Sequence, residues 1–421
     1  MQLTAFYTDS FHGVLAMYLP RALETQIRRT SEIFPVVLVT GPRQVGKTTV
    51  LQEIAEPGRA YYDLDDPETL ELARTDPYQF FQKHPPPMIL DEIQVAPQLL
   101  KHIKVMVDRD RRPGQFWLTG SQQFHMMKGV TESLAGRVGI LDLFGMSQRE
   151  LDGRAADVLP FLPRSYEEYV SSPVSKASGD LFARIWQGSF PAALALDETG
   201  WKRFFESYMR TYLQRDVRDL LNVGDLLSFE HFMRALAART GQLLNLAECA
   251  RDAGIAPNTA KSWLSVLVAS GIVLLLEPYH TNLTKRFVKT PKMYLLDTGL
   301  CSYLTGWLSP MTLERGAMAG AMFETHVVSE VLKSYSNAGE HFPGHFYRDH
   351  GQREIDLVLH RNGTLYPIEI KKTASPHRES VSAFSSLDAF GMPIGPGAMI
   401  CLADRIVPLS ANVTAIPVSM V

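Results

Sequence analysis

The segment Gly41-Pro-Arg-Gln-Val-Gly-Lys-Thr48 decides how the rest of this sequence is interpreted. Its glycines, lysine and threonine stand at the places that define a phosphate-binding loop, G-x-x-x-x-G-K-[ST]. An apolar run rich in β-branched residues, Phe34–Thr40, precedes the loop, and an apolar stripe at helical spacing, Thr48–Ala55, follows it. Strand, glycine loop and helix form the setting that this motif requires. The sequence therefore predicts a nucleotide-binding loop rather than a chance match in a glycine turn.

The residue types of this loop suit a nucleoside triphosphate. Successive backbone N–H groups and the start of a helix attract phosphate oxygens, and glycine lets the backbone approach them closely. Lys47 would supply a mobile charge for the β and γ phosphates, and the Thr48 hydroxyl would bind Mg²⁺. The predicted nucleotide-binding residues are Gly41, Pro42, Arg43, Gln44, Val45, Gly46, Lys47, Thr48 and Thr49.

A second apolar run, Pro87–Leu90, ends in the two carboxylates Asp91 and Glu92. A buried strand would deliver Asp91 to the carboxyl edge of a parallel sheet, where ligands bind in α/β proteins. Asp91 would hold Mg²⁺ directly or through water, and Glu92 would orient or deprotonate the water that attacks the γ-phosphate. An acidic loop after a strand is the alternative, but a preceding phosphate loop favours the catalytic interpretation.

Three further residues are candidates for contact with the γ-phosphate. The stretch Phe116–Gln122 is typical of an inner strand that ends in polar residues, of which Thr119 and Ser121 would touch the phosphate or the attacking water. Simple hydrogen bonding within a loop is equally compatible with both. Arg137 would be an arginine finger or a phosphate sensor, with a surface salt bridge as the alternative.

The overall composition bounds the class of protein. The chain has 421 residues, which suggests two to four domains, and its net charge of −3 gives no global basic field that would indicate a nucleic-acid partner. Its three cysteines are far apart and form no disulfide framework or zinc knuckle. With no apolar run long enough to span a bilayer and no signal-peptide pattern, we expect a cytoplasmic protein without a membrane partner.

The sequence of the middle of the chain indicates helices followed by a small basic hairpin. The helices Leu246–Gly254 and Thr259–Ser270 with strands on either side of 282–292 indicate a helix-turn-helix with a wing. The wing carries Lys285, Arg286, Lys289 and Lys292, which suit phosphate contacts to DNA or RNA. Because the second helix is poor in arginine, base-specific reading is not expected, and a packing module remains the alternative.

The C-terminal part holds a pattern of acidic and basic residues on two predicted strands. Arg353–Leu359 and Tyr366–Lys372 would form a hairpin joined at Asn362-Gly363. Because strand side chains alternate, Glu369 and Lys371 share one face. A solvated hairpin with alternating charges is the plain alternative to a catalytic interpretation.

Four blocks make nearly the whole chain, from about Tyr18, resemble the AAA-type ATPases of the AAA_14/DUF4143 family. These blocks are Gly41–Thr49, Ile89–Gln94, Leu118–Gln122 and Ser133–Arg137. The resemblance implies a P-loop fold of the additional-strand, catalytic-glutamate type, ATP with Mg²⁺ as cofactors, and a nuclease-like C-terminal domain.

The C-terminal hairpin itself resembles the PD-(D/E)XK nucleases. That resemblance implies that Asp356 and Glu369 ligate Mg²⁺ and that Lys371 stabilises or positions the attacking water. Glu324, on a predicted helix upstream, matches the extra acidic ligand of that family. The predicted catalytic residues of this module are therefore Glu324, Asp356, Glu369 and Lys371.

The expected fold class is α/β, with a parallel P-loop sheet followed by a winged helix and a nuclease-like α/β domain. The expected divisions are an N-terminal extension (1–17), the ATPase domain (18–150), a helical linker or lid (151–225), the winged helix (226–300) and the nuclease-like domain (301–421). Two functions stay open: an ATP-gated nuclease, and an ATP-dependent binding switch with a silent nuclease-like scaffold. An arginine finger acting in trans would require a homo-oligomer.

Overall fold

Three β-sheets organise the part of the chain that the computed structural model describes. That part comprises residues 18–120, 133–171, 180–212, 226–280 and 289–421. The predicted residues Ser121, Lys285 and Arg286 lie outside these ranges.

The first sheet is parallel and carries the phosphate loop. Its strands are β1 Val36–Thr40, β2 Ala60–Asp63, β3 Met88–Asp91, β4 Phe116–Gly120 and β5 Val138–Asp142, in the order β2-β3-β4-β1-β5. Every residue of β1, β3 and β4 is buried, because helices cover both faces of a parallel sheet. The predicted α/β P-loop fold is confirmed, with β4 inserted between the loop strand and the strand of Asp91.

Five helices accompany this sheet, and proline and aspartate set the start of two of them. The helices are α1 Glu24–Ile33, α2 Lys47–Ile54, α3 Pro67–Thr75, α4 Pro77–Lys83 and α5 Leu99–Arg109. The Asp66 and Asp76 side chains accept from the backbone N–H groups of Thr69 and Gln79, immediately before the prolines.

A short helical region follows the first sheet and packs through aromatic rings. Its helices are α6 Gln148–Leu151, α7 Tyr166–Val170, α8 Leu181–Gln187 and α9 Glu198–Tyr212. Trp186 of α8 stacks on Trp201 of α9 with ring centroids 4.2 Å apart, and Phe205 packs edge-on against Trp201. Trp201, Phe205 and Tyr208 of α9 are buried in the core.

The middle unit combines three helices with a small antiparallel sheet. The helices are α10 Leu226–Ala237, α11 Leu246–Asp252 and α12 Pro257–Ala269, and the strands β6 Gln242–Leu243, β7 Val273–Leu276 and β8 Lys292–Leu295 are ordered β6-β8-β7. The winged-helix assignment stays a prediction, since residues 281–288 between β7 and β8 are outside the described ranges.

The C-terminal unit is a mixed sheet covered by one long buried helix. Its helices are α13 Thr298–Thr305, α14 Pro310–Arg315 and α15 Ala319–Asn337. Its strands β9 Gly344–Arg348, β10 Glu354–Arg361, β11 Thr364–Lys371, β12 Gly397–Cys401, β13 Val407–Ser410 and β14 Val413–Pro417 are ordered β13-β14-β12-β11-β10-β9. Asn362 and Gly363 both have positive φ and form the two-residue turn between β10 and β11, as predicted.

Two details differ from the sequence-based expectation. The sequence predicts a helix near Ser380–Phe390, but the segment Arg378–Phe390 is 3₁₀ rather than α-helical, and the edge strand β13 has no sequence-based prediction. Within the described ranges, no helix combines the length and the apolar character that a membrane crossing needs.

Gly41 holds the phosphate loop against the end of β5. It has φ 137°, and a Cβ built on it would lie 2.0 Å from the backbone oxygen of Leu143. Leu143 in turn donates its N–H to the Thr40 carbonyl at 2.8 Å. The loop can therefore leave β1 along this path only because residue 41 has no side chain.

We expect Gly41→Ala to lower the free energy of unfolding by more than Gly58→Ala. Both positions have positive φ, which costs alanine about 1–2 kcal/mol, but nothing lies within 4 Å of a Cβ at Gly58. The clash at Gly41 should add about 1–3 kcal/mol. Urea unfolding of both variants measures the difference, and equal losses would contradict the close approach described here.

Candidate functional site

Lys47 is buried against its own loop. Helix α2 begins at this residue, directly after Gly46, which has φ 93°. The Lys47 ammonium donates to the carbonyl oxygens of Gly41 at 3.1 Å and Pro42 at 2.8 Å. Among the other predicted loop residues, Pro42 and Val45 are buried, whereas Gln44 and Thr49 are exposed. The lysine is therefore placed at the loop, with its charge stabilised by the backbone.

Hydroxyl groups from three elements converge on the buried carboxylate of Asp91. Thr48 at the start of α2 donates to both oxygens, at 3.0 and 2.8 Å, and Tyr61 of β2 donates at 2.9 Å. Thr119 of β4 donates a short hydrogen bond to the Oδ1 atom. The neighbouring parallel strands place these groups together because their carboxyl ends meet at one edge of the sheet.

Glu92 follows Asp91 in a left-handed conformation with φ 54°. Its N–H donates to the Thr119 hydroxyl at 3.0 Å, and the Gln94 amide donates to its carboxylate. The structure thus brings Thr48, Asp91, Glu92 and Thr119 into one hydrogen-bonded group beside the loop. The Thr48 hydroxyl and the Asp91 carboxylate provide oxygen donors of the kind that Mg²⁺ takes.

Sequence reasoning missed two residues of this region, Tyr61 and Arg21. Arg21 is buried, donates to the Val45 carbonyl at 2.7 Å and forms an ion pair with Glu150 at 3.0 Å. It also donates to the Phe144 carbonyl at 2.7 Å, so it joins the phosphate loop to the chain that follows β5. Neither residue stands in a recognisable motif, and their partners are far away in the sequence.

Arg137 lies away from the phosphate loop of its own chain. It immediately precedes β5, and its carbonyl accepts from the N–H of Val36, the first residue of β1. Since β1 and β5 are parallel, Arg137 is at the amino edge of the sheet, opposite the loop. Its guanidinium pairs with Asp108 at 2.6 Å on the surface. The structure does not bring it to the other predicted residues.

The predicted C-terminal residues meet between α15 and two neighbouring strands. Asp356 of β10 accepts from the N–H of Ile370 in β11 at 2.9 Å. Glu369 of β11 pairs with Lys371 at 2.7 Å, and the lysine side chain is 48% exposed. Glu324 reaches the same place from α15, where Tyr294 donates to it at 2.7 Å.

The structure contradicts the predicted phosphate contact of Lys292. Its side chain is only 3% exposed, and its ammonium lies 3.0 Å from Glu324, 2.5 Å from Glu354 and 3.4 Å from Asp356. A buried ammonium needs compensating charge, and these carboxylates provide it. Lys289, by contrast, is exposed.

The acidic cluster formed by Glu324, Glu354, Asp356 and Glu369 is not an open metal site in this arrangement. Across the described residues, no three His, Cys, Asp or Glu side chains are placed so that they could hold a metal ion. The metal-binding role of Asp356 and Glu369 stays a prediction. Glu354 and its contact with Lys292 were missed because nothing local to either residue indicates that they meet.

Burial and like charge shift the pKa values of this cluster. Burial, followed by the charge of Asp356, raises the pKa of Glu369 to about 8. The same two causes raise the pKa of Glu324, although the charge of Lys292 opposes them. Burial acts to lower the pKa of Lys292, but the charges of Glu324, Asp356 and Glu354 outweigh it and raise that pKa. The carboxylates thus depend on nearby cations for their charged form.

Three family models match separate parts of the chain. An AAA domain (AAA_14) matches residues 34–152, a domain of unknown function (DUF4143) matches residues 319–421, and another domain of unknown function (DUF8612) matches residues 178–310. The resemblance to AAA_14 and DUF4143 proteins is thereby confirmed.

Two relatives and two solved structures are similar to this chain. Two uncharacterized proteins, of Mycobacterium tuberculosis and Mycobacterium bovis, are each 29% identical over 408 residues, which is 95% of this chain and 84% of each relative. A Walker-type ATPase of Pyrococcus abyssi is 15% identical with a TM-score of 0.41, covering 67% of this chain and 94% of its own. A RuvB protein of Thermotoga maritima is 15% identical with a TM-score of 0.31, covering 60% and 88%.

We expect the C-terminal cluster to make the protein less stable as pH rises. Glu369 holds its proton up to about pH 8 when folded, but loses it near its ordinary pKa of 4.5 when unfolded. Between those values the folded state binds more protons, so the free energy of unfolding falls as pH increases. The loss should be about 2 kcal/mol between about pH 6.5 and about pH 8.5.

Urea unfolding of wild type and Glu369→Gln at both pH values measures this effect. The variant should lose the part of the pH dependence that Glu369 contributes and keep the part from Glu324, whose pKa is about 7, whereas Glu379→Gln, an exposed glutamate of the same unit, should keep the wild-type slope. His326 contributes little between about pH 6.5 and about pH 8.5. Burial lowers the pKa of His326 to about 4, so its titration affects stability mainly below its ordinary pKa of 6.5. An unchanged slope in Glu369→Gln would contradict the prediction.

Proposed function

Because the chain combines an AAA domain with a C-terminal DUF4143 domain, we propose that it is a Mg²⁺-dependent ATPase whose nucleotide state controls a nucleic-acid-acting C-terminal module. The observation that carries this proposal is the convergence of Thr48, Thr119 and Glu92 around Asp91, directly beside the phosphate loop. These groups come from the loop helix and from two adjacent strands.

Each group has a distinct role in the proposed ATPase. Lys47 would leave the carbonyls of its own loop and donate to the β and γ phosphates, while Thr48 and Asp91 would hold Mg²⁺. The metal would supply positive charge against the phosphate oxygens. Glu92, next to Asp91, would orient or deprotonate the attacking water, and Thr119 would fix the backbone of Glu92 through the hydrogen bond described above.

A series of contacts that leads from the phosphate loop through Arg21 and Glu150 to the C-terminal helix α15 supports the proposed control. Glu150, the partner of Arg21, caps the start of α6 through Ser147. The next residue, Gln148, donates its N–H to Glu330 of α15 at 2.7 Å. Lys333 of α15 pairs with Glu330 at 2.9 Å and donates to the Met146 carbonyl at 3.1 Å.

This path is buried at each step. Arg21, Glu150, Glu330 and Lys333 are each less than about a tenth exposed. The loop also comes close to the middle unit, since a Cβ built on Gly271, just after α12, would lie 3.2 Å from the Pro42 ring. A shift of the loop on binding ATP would therefore be passed to α15, which carries Glu324 near its first turns.

We expect Glu92→Gln to lower kcat for ATP hydrolysis by about 10²- to 10⁴-fold, because it removes a general base. The KM for ATP should change little, since Glu92 does not hold the phosphates. Lys47→Ala should instead abolish ATP binding. Phosphate release measures turnover, and Glu53→Gln, an exposed residue of α2, is the matched control.

Turnover that survives both Glu92→Gln and Lys47→Ala would overturn the ATPase proposal. Loss of turnover in Glu53→Gln as well would point to a general defect in folding rather than to chemistry at Asp91 and Glu92.

A second candidate is a binding switch in which the C-terminal module is a silent scaffold. The observation that favours it is the ammonium of Lys292, which lies among the carboxylates that a metal would need. In that case ATP would control binding of DNA or RNA, in part through exposed cations such as Lys289, without cleavage. Such binding should weaken steeply with salt.

Incubation with plasmid, single-stranded DNA and RNA separates the two candidates. Reactions contain Mg²⁺ or Mn²⁺, with and without ATP. If the module is a nuclease, cleavage should disappear in Lys371→Ala and persist in Lys372→Ala, whose side chain instead donates to the Glu314 carbonyl at 2.6 Å. ATP-dependent, salt-sensitive binding without cleavage of any substrate would identify the scaffold.

A further inference from the structure

A lysine from the middle sheet enters the acidic cluster of the C-terminal unit. Lys292 is the first residue of β8, whereas its partners Glu354 and Asp356 lie on β10 and Glu324 lies on α15. An ammonium group has three N–H donors, and here it faces three carboxylates. The position is closed to solvent, with 3% of the side chain exposed.

The cluster still has an unfilled acceptor. The Oε2 atom of Glu369 is buried and receives no hydrogen bond from any residue that the structure describes. Glu369 itself is 5% exposed, and it is adjacent in the sheet to Asp356, whose Oδ2 accepts from Ile370. A buried carboxylate oxygen without a donor is costly, and a cation can satisfy it.

The side-chain cations near the cluster offset only part of the negative charge of its carboxylates. Arg348 pairs with Glu354 at 3.0 Å and Lys371 pairs with Glu369 at 2.7 Å, both from partly exposed positions. Lys292 is shared among Glu324, Glu354 and Asp356. Buried oxygens from two strands and a helix are the donor type that Mg²⁺ and Mn²⁺ prefer.

We propose that the Lys292 ammonium stands in for a divalent cation, and that the cluster binds Mg²⁺ or Mn²⁺ only when Lys292 is withdrawn. This inference rests on the nuclease-like module of the proposed function and names its control. Lys292 is a competing internal cation, not a catalytic residue. It holds the carboxylates together and excludes the metal at the same time.

The two sides of the contact belong to different elements. Lys292 is held in the sheet β6-β8-β7 through its pairing with Leu276 and Leu243. Glu324 lies on α15, which is connected to the ATPase part through Glu330 and Lys333. A displacement of α15 relative to β8 would lengthen the bonds that Lys292 and Tyr294 of β8 donate to Glu324. Nucleotide binding would thereby make room for the metal.

Manganese binding to the nucleotide-free protein tests the proposal without any nucleic acid. Isothermal titration with Mn²⁺ compares wild type with Lys292→Met, which removes the charge but keeps an unbranched apolar chain. The variant should gain a binding site with affinity at least about 10-fold above wild type. The further change Asp356→Asn should abolish the gain, which assigns the new site to this cluster rather than to Thr48 and Asp91.

A second variant keeps the test decisive if Lys292→Met is unstable. Lys292→Met combined with Glu354→Gln removes one positive and one negative charge, so Glu324, Asp356 and Glu369 remain. Mn²⁺ should raise the Tm of either variant more than that of wild type, because a ligand stabilises the state that binds it. Failure of both proteins to fold at saturating Mn²⁺ would overturn the proposal, since a cluster that exchanges its cation would be rescued.

Equal Mn²⁺ affinity in wild type and in the folded variants would also overturn it. ATP turnover of the same proteins is measured in parallel and reports on the proposed ATPase alone. A gain of Mn²⁺ binding without turnover would refute the ATPase and keep the Lys292 inference. Turnover without a gain of Mn²⁺ binding would keep the ATPase proposal and refute the Lys292 inference.

Discussion

A charge that is taken out of water must meet an opposite charge or several hydrogen-bond donors. In this chain that constraint links parts that are far apart in the sequence. Asp91 is satisfied by hydroxyls from three elements, Glu150 by Arg21, and Glu330 by Lys333. Each buried acid fixes the relative position of the elements that supply its donors. The architecture around the phosphate loop follows from these pairings as much as from the apolar core.

The same constraint relates the two candidate sites. At the phosphate loop, neutral hydroxyl groups surround the Asp91 carboxylate, so a metal would join them without the removal of a cation from that carboxylate. At the C-terminal cluster, a lysine already compensates the carboxylates. The first arrangement suits repeated exchange of a nucleotide and its metal, whereas the second suits a site whose use is conditional.

Local signals in the sequence predicted the parts of the fold that depend on local chemistry. Glycines and apolar periodicity located the strand before Gly41, the helix after the phosphate loop, and the turn at Asn362-Gly363. The meeting of Thr48 and Asp91 was also predictable, because parallel strands end at a common edge. Arg21, Tyr61 and Lys292 were not, since their partners are set by packing between distant segments. Lys292 was misread because a lysine beside other cations in sequence is here surrounded by acids in space.

Helix α15 limits how the AAA domain or the DUF4143 domain could be exchanged for that of another protein. It runs for 19 residues, about 28 Å, and places Glu324 in the acidic cluster and Glu330 and Lys333 against residues 146–148. The boundary between the AAA domain and the DUF4143 domain is thus a polar seam with buried ion pairs. A chimaera that joins this AAA domain to the C-terminal module of another protein would leave backbone donors and carbonyls there without partners. Exchange of either domain would therefore require matching residues on both sides of this seam, at 146–148 and in α15.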